Sequence, residues 1–291
     1  MTKVLNELLN LLQLEEIEKS IFRGQSQDLG FGNVFGGQVI GQALSAAKQT
    51  VEEDRGLHSF HCYFLRPGNA HKPIVYEVDK SRDGQSFTTR RVVAIQNGKP
   101  IFNIALSFQK KENGFVHQHP NMPQVTPPDE LESELDRIRK FAHRIPEQVR
   151  DKLTCDRPIE LRPVKVPDFI KPEPMEPVRH IWLRANGTLP DDPRIHKYLL
   201  AYASDFSFVT TSLNPHGVNF WEPTMQVASI DHAMWFHQDF RMDEWLLYSI
   251  DSPIAGGARG LARGQIFNQR GQLVASTIQE GLIRKRPSVN I

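Results

Sequence analysis

Apolar residues recur at helical spacing near the N-terminus, at Leu5, Leu8, Leu9 and Leu12, with Glu16 following. The period predicts a short amphipathic helix that packs over a sheet edge. A second stripe, Val39, Ile40, Ala43, Leu44 and Ala47, predicts another helix, introduced by Gly36-Gly37. Gly41 stands inside it at a cost of about 1 kcal/mol relative to Ala, which implies close backbone packing against a neighbour. The runs 58–65, 74–79, 87–96 and 101–109 read as strands. Asn97-Gly98, between the last two, is a hairpin turn because both residues tolerate positive φ.

From 113 to 177 the texture changes. Pro120, Pro123, Pro127, Pro128, Pro163, Pro167, Pro172, Pro174 and Pro177 fall there. Proline donates no ladder hydrogen bond, so the stretch reads as poor sheet material, an ordered linker with one charged helix over 129–142. Then the first pattern returns. Asp192 is a candidate N-cap with Pro193 at the first helical position. Ile195, Tyr198, Leu199, Tyr202 and Phe206 form the stripe, and strands follow over 225–237, 245–251, 257–268 and 272–284. Arg270-Gly271 fills the hairpin slot of Asn97-Gly98. A helix-then-strands order occurring twice points to tandem duplication. The packing solution is an α+β one, in which an antiparallel sheet curls around each helix and two units sit side by side. We divide the chain into units at 1–115 and 176–291, joined by the linker 116–175, and look for a ligand site at the seam.

Composition narrows the function. Among 291 residues, Lys+Arg 35 against Asp+Glu 34 gives a net charge of +1, without the basic excess of a nucleic-acid binder. Two cysteines, Cys62 and Cys155, exclude a disulfide scaffold and imply reduced thiols. No run approaches the 20 or so apolar residues of a membrane span, polar residues interrupt the N-terminal leucines, and 288–291 carries no sorting signal. A cytoplasmic location is expected. There is no Gly-x-Ser-x-Gly elbow, since the sequences around Ser26 and Ser86 lack the second glycine, and no phosphate-binding loop. Gly30-Phe31-Gly32 follows no strand and is not a dinucleotide fingerprint. His58 and His61 point to opposite faces of a strand, His117 and His119 open a Pro-rich loop, and Asp231, His232 and His237 lack further converging ligands. We expect neither metal nor cofactor.

Three polar residues of the second half remain. Asp205 ends the apolar helix among aromatic neighbours, where a carboxylate is costly to bury without hydrogen bonds. Ser229 lies in the strand before Asp231-His232, and Gln279 lies late in the last strand. Each also has an ordinary structural explanation: a cap, a small strand residue, a surface amide.

A series of blocks in order resembles the acyl-CoA thioesterase II, or TesB-type, family over essentially the whole chain. They are Phe22-Arg23-Gly24-Gln25-Ser26, Val34-Phe35-Gly36-Gly37-Gln38-Val39, His58-Ser59-Phe60-His61, Tyr63-Phe64-Leu65-Arg66-Pro67-Gly68, Asp83-Gly84-Gln85-Ser86-Phe87, Tyr202-Ala203-Ser204-Asp205, Ile230-Asp231-His232, Met234-Trp235-Phe236-His237 and Gln279-Glu280-Gly281. The resemblance implies a double hot-dog fold, hydrolysis of fatty acyl-CoA to free acid and CoA, and association into a homo-oligomer. It also implies a catalytic set of Asp, hydroxyl residue and Gln, falling on Asp205, Ser229 and Gln279. The family's hydroxyl residue is typically Thr. Ser229 keeps the hydroxyl but loses the methyl that restricts χ1. Helix-start amides, at Gly36-Gly37 or near Asp205, would serve the oxyanion. Gln42 occupies a place similar to Asp205 in the first helix and cannot act as a base. Arg66, Arg90, Arg91, Arg259 and Arg263 are candidates for the CoA phosphates. Two rivals stay open: a hot-dog hydratase acting on enoyl-CoA through Asp231-His232, and a non-catalytic acyl-CoA binding module.

Overall fold

The structure is a computed structural model and describes all residues except 31, 120, 167–170 and 287–291. Phe31, Pro120, Pro167 and the segment 288–291 therefore lie outside the described residues.

Helix α1 (Lys3–Leu12) buries Leu5, Leu8 and Leu12 and packs on α2 (Gly36–Lys48). Every residue of α2 from Gly37 to Lys48 is buried. A helix enclosed on all sides must be surrounded, and the strands of the first half do this together with α1 and a helix of the second half. These are β1 (Glu15–Glu18), β2 (Ile21–Gly24), β3 (Arg55–Phe64), β4 (Ile74–Asp83), β5 (Phe87–Gln96) and β6 (Lys99–Lys110). Asn97 and Gly98 take φ of 50° and 69°, as the β5–β6 turn requires.

The Pro-rich stretch carries α3 (Glu134–Lys140), capped by Ser133, and α4 (Glu147–Thr154). It also contributes strand β7 (Ile159–Pro163), which the sequence reading did not foresee. β7 pairs only with β8 (Val178–Ala185), at the sheet edge, where a proline costs no ladder bond. Helix α5 (Pro193–Ala203) starts as expected, Asp192 Oδ1 accepting from the Arg194 N–H at 2.9 Å. It ends before Phe206. The chain turns at 204–208 and continues as a 3₁₀ segment, Val209–His216, lying on β8 and the strands that follow.

The predicted strand 225–237 is two strands, β9 (Met225–Ser229) and β10 (Asp231–Phe236). β11 (Leu246–Gly256), β12 (Arg259–Asn268) and β13 (Leu273–Lys285) complete the set. The β12–β13 turn is not a copy of Asn97-Gly98. Only Gly271 has positive φ there, and the Asn268 side chain accepts from the Arg270 and Gln272 N–H groups. All strands form one antiparallel sheet of order β1-β2-β4-β5-β6-β3-β10-β13-β12-β11-β8-β7, with β9 also on β13. The β3–β10 pairing, from Asp231 opposite Tyr63 to Trp235 opposite Ser59, fuses the two halves.

Inside, α2 and α5 run antiparallel in contact. A Cβ on Gly37 would meet the Tyr202 carbonyl oxygen inside 3.0 Å, and one on Gly41 would sit 3.6 Å from the Tyr198 carbonyl oxygen. Gly37 admits this approach; the close neighbour of a Cβ on Gly41 would instead be the Leu12 side chain of α1, at 2.9 Å. The consequence of the approach is that the start of α2 faces the end of α5.

Candidate active site

The α2 N-terminus has no cap of its own; Phe35 at the N-cap position offers no side-chain acceptor. Asp205, two residues past the end of α5, fills that role from the other half of the molecule. The Gly37 N–H and the Ser229 hydroxyl face its carboxylate and pull its pKa down. Asp205 Oδ1 accepts from Gln279 Nε2 at 2.9 Å. The packing is close: a Cβ on Gly36 would lie 2.6 Å from Asp205 Oδ2 and 2.8 Å from the Phe64 ring. Phe35 stacks on Phe206 with centroids 4.4 Å apart, and Tyr202 meets Phe35 edge-on at 5.2 Å.

Burial pushes the Asp205 carboxyl above its ordinary range, outweighing the three donors, which pull it down. A raised carboxylate is a better general base near neutrality than an exposed one. Gln279 is fully buried, and its Oε1 accepts from no described residue. With Nε2 committed to Asp205, Oε1 is left as an acceptor without a donor among the described residues.

Strand register explains why Ser229 joins them. Ser229 pairs with Gly281, so their side-chain positions share a face, and Gln279, two residues back, shares it too. On β10, Ala233 pairs with Ile278. Three residues, 230–232, thus stand opposite two, 279 and 280. This is a β-bulge. It brings Ser229 and His232 to the same inner face although their spacing of three would separate them on a regular strand.

A family model described as "Acyl-CoA thioesterase" matches residues 148–282, and one described as "Acyl-CoA thioesterase N-terminal domain" matches residues 25–109. Acyl-CoA thioesterase 2 of Haemophilus influenzae is 46% identical over 284 residues, covering 98% of this chain and 99% of its own. The chain belongs to the TesB-type acyl-CoA thioesterase family. The crystal structure of acyl-CoA thioesterase II TesB2 from Mycobacterium marinum is similar to it with a TM-score of 0.78 and 40% identity, over 97% of this chain and 99% of that one. A protein of unknown function with a hot-dog fold from Alicyclobacillus acidocaldarius matches with a TM-score of 0.78 at 18% identity, over 97% of this chain and 99% of its own, which bears on the fold alone. This TesB-type thioesterase is therefore a double hot-dog enzyme of thioester hydrolysis. Among the described residues no helix is long and apolar enough to cross a membrane.

Other candidate residues of this thioesterase fall elsewhere. Asp231 Oδ1 accepts from the Glu280 N–H at 2.7 Å, while His232 Nε2 lies 3.1 Å from Ser204 Oγ. The two do not form an acid–base pair. His232 is fully buried between the Phe60 and Phe208 rings, and burial lowers its pKa to about 3. Gln42 is structural: it donates to the Leu11 and Gln25 carbonyls and accepts from Tyr76 Oη at 2.6 Å. Arg90 is buried and donates to Asp83 Oδ1 at 2.6 Å and Thr50 Oγ1 at 2.8 Å, so its guanidinium is committed within the fold. Among the described residues no three potential ligands gather as a metal site.

Sequence reasoning missed a layer behind Asp205. Tyr248 Oη donates to the Ser204 carbonyl at 3.1 Å and lies 2.9 Å from Thr277 Oγ1. Ser204 Oγ donates to the Ala201 carbonyl at 2.9 Å, so it accepts from His232 Nε2. The turn presenting Asp205 is thereby anchored on β10, β11 and β13. A Tyr or Thr on an inward strand position carries no sign of such a role in the sequence.

Proposed function

We propose that the chain hydrolyses fatty acyl-CoA by direct attack of a water molecule held between Asp205, Ser229 and Gln279. The supporting observation is the convergence of a half-buried carboxylate raised above its ordinary range, a hydroxyl and an amide on the start of a helix that lacks its own cap.

The water donates one proton toward Asp205 and the other to Gln279 Oε1, the acceptor that has no protein donor. Ser229 donates to Asp205 and so fixes the carboxylate that receives the proton. One lone pair of the water is left to face the thioester carbonyl carbon. As the C–O bond forms, Asp205 takes the proton and negative charge moves to the carbonyl oxygen. The positive end of α2, about half an elementary charge, faces that charge. Collapse of the intermediate breaks the C–S bond. The thiolate of CoA leaves and is protonated by Asp205, which restores the carboxylate. No acyl-enzyme forms, because a thiolate leaves readily. General-base assistance of this kind contributes typically 10²–10⁴-fold.

Thiol release from saturated acyl-CoA tests the activity, since a hydratase has no double bond to act on and a binding module releases nothing. Rapid-quench intact-mass measurement tests the direct attack: the protein mass should stay unmodified through the first turnover. An adduct of acyl mass on Ser229 or Asp205 would refute it.

A further inference from the structure

The bulge between β9 and β10 has an identifiable pin. In a regular ladder the Glu280 N–H would donate to a backbone carbonyl of the neighbouring strand. Here it donates at 2.7 Å to the side chain of Asp231. The Glu280 carbonyl accepts from the Ile230 N–H at 2.9 Å, and the Ile230 carbonyl accepts from the Phe64 N–H at 2.9 Å. Ile230 therefore spans its two neighbouring strands, while Asp231 takes up the amide that the extra residue leaves over. Register shifts at this place, with Ser229 opposite Gly281 on one side and Ala233 opposite Ile278 on the other.

We propose that Asp231 is a positioning residue: its carboxylate pins the bulge and so aims the Ser229 hydroxyl at Asp205. The inference rests on the reading of Ser229 as a holder of the attacking water. Without the side-chain acceptor, the cheapest way to satisfy the Glu280 N–H is to slip the strand into the register of β10. A slip of one residue turns Ser229 to the outer face, away from Asp205. Asp231 thus works as an acceptor for an N–H, not as an acid or base. That distinguishes it from the role it would have in hydration chemistry.

The test uses the full chain with Asp231→Asn, Asp231→Ala, Asp231→Glu, Ser229→Ala and the double variant Asp231→Ala/Ser229→Ala. Two readouts are taken: hydrogen exchange at the Glu280 amide, and kcat and KM for thiol release. Asn keeps an acceptor oxygen, so slow exchange and a kcat within about threefold of wild type are expected. Ala removes it, so exchange accelerates and kcat falls about 10–100-fold, the effect of a small misplacement, with KM nearly unchanged. The double variant should be no worse than the more affected single one, because Ser229 is already misdirected. Glu keeps an acceptor but lengthens the arm. It should preserve protection at Glu280 while lowering kcat about tenfold or more, which also decides the matter if Asp231→Ala does not fold. Unchanged exchange with full kcat in Asp231→Ala overturns the proposal, as does wild-type kcat in Asp231→Glu. An inactive Asp231→Asn with Glu280 still protected would overturn it in favour of a chemical role. Full kcat in Ser229→Ala would instead defeat the reading of Ser229, and the exchange data would still decide the pin.

Discussion

Gly37→Ala is the sharpest probe of how the two halves make one site. The added Cβ would fall inside 3.0 Å of the Tyr202 carbonyl oxygen, closer than real Cβ atoms come, and backbone cannot swing aside as a flexible side chain can. Helices α2 and α5 must part by roughly 1 Å to relieve the contact, and overpacking of this kind costs about 1–3 kcal/mol. For a chain of this size that corresponds to a drop in Tm of about 2–6 °C. The same displacement draws the Gly37 N–H away from Asp205. Misplacement on that scale costs on the order of 100-fold in rate. Gly41→Ala is the internal control. Its Cβ would sit 3.6 Å from the Tyr198 carbonyl and 2.9 Å from the tip of Leu12, a side chain that can move. Helix propensity there favours Ala by about 1 kcal/mol, so stability should change little and kcat should hold. Thermal melts and thiol-release kinetics on both variants give the comparison. If Gly37→Ala matches wild type in both, the helix contact does not set the site, and the reasoning is wrong.

Three further outcomes follow. The acid limb of the kcat profile should lie above the ordinary aspartate value of 3.8, because burial raises Asp205 and only its ionised form accepts a proton; a limb at or below 3.8 would contradict this. For the same carboxyl, a folded pKa above the unfolded one means that ionisation costs stability, so its contribution is present below the unfolded value and lost as pH rises through the folded one. His232 works the other way. Held near 3 against 6.5 unfolded, it should cost stability as pH falls from about 6.5 toward 3, by about 4–5 kcal/mol at the low end; denaturant melts at several pH values should show the slope reduced in His232→Gln. Gln279→Leu removes both the donor to Asp205 and the orphan acceptor, and should lower kcat by about 10²-fold and stability by about 1–3 kcal/mol, since the Asp205 carboxylate loses its hydrogen-bond donor; wild-type kcat would remove Gln279 from the site.

Much of the fold was legible in the sequence because it rests on local rules. The α2 stripe, the Asp192 cap and the Asn97-Gly98 turn each depend on neighbours within a few residues, and each stands where the pattern placed it. The separate break at Ile230 was not legible, because a bulge arises from register against β13, about fifty residues away, which the local pattern of 225–237 does not encode. Strand β7 was hidden by its prolines, which an edge position tolerates. At the site, resemblance pointed to Asp205, Ser229 and Gln279; Gln279 donates to Asp205, and strand register puts Ser229 on the same face as Gln279. That the Gly37 N–H faces Asp205 across the seam follows from the antiparallel helix contact, which no single-chain periodicity encodes. The anchoring of Ser204 by Tyr248 and His232 was equally invisible, being an arrangement of residues whose types suit an ordinary core.

The central claim is that the carboxylate of Asp205 activates water on the thioester. Asp205→Asn keeps the shape and removes the base, so kcat for thiol release from a saturated acyl-CoA should fall by about 10²–10⁴-fold with the melting temperature maintained. Turnover within a few-fold of wild type in that variant would contradict it.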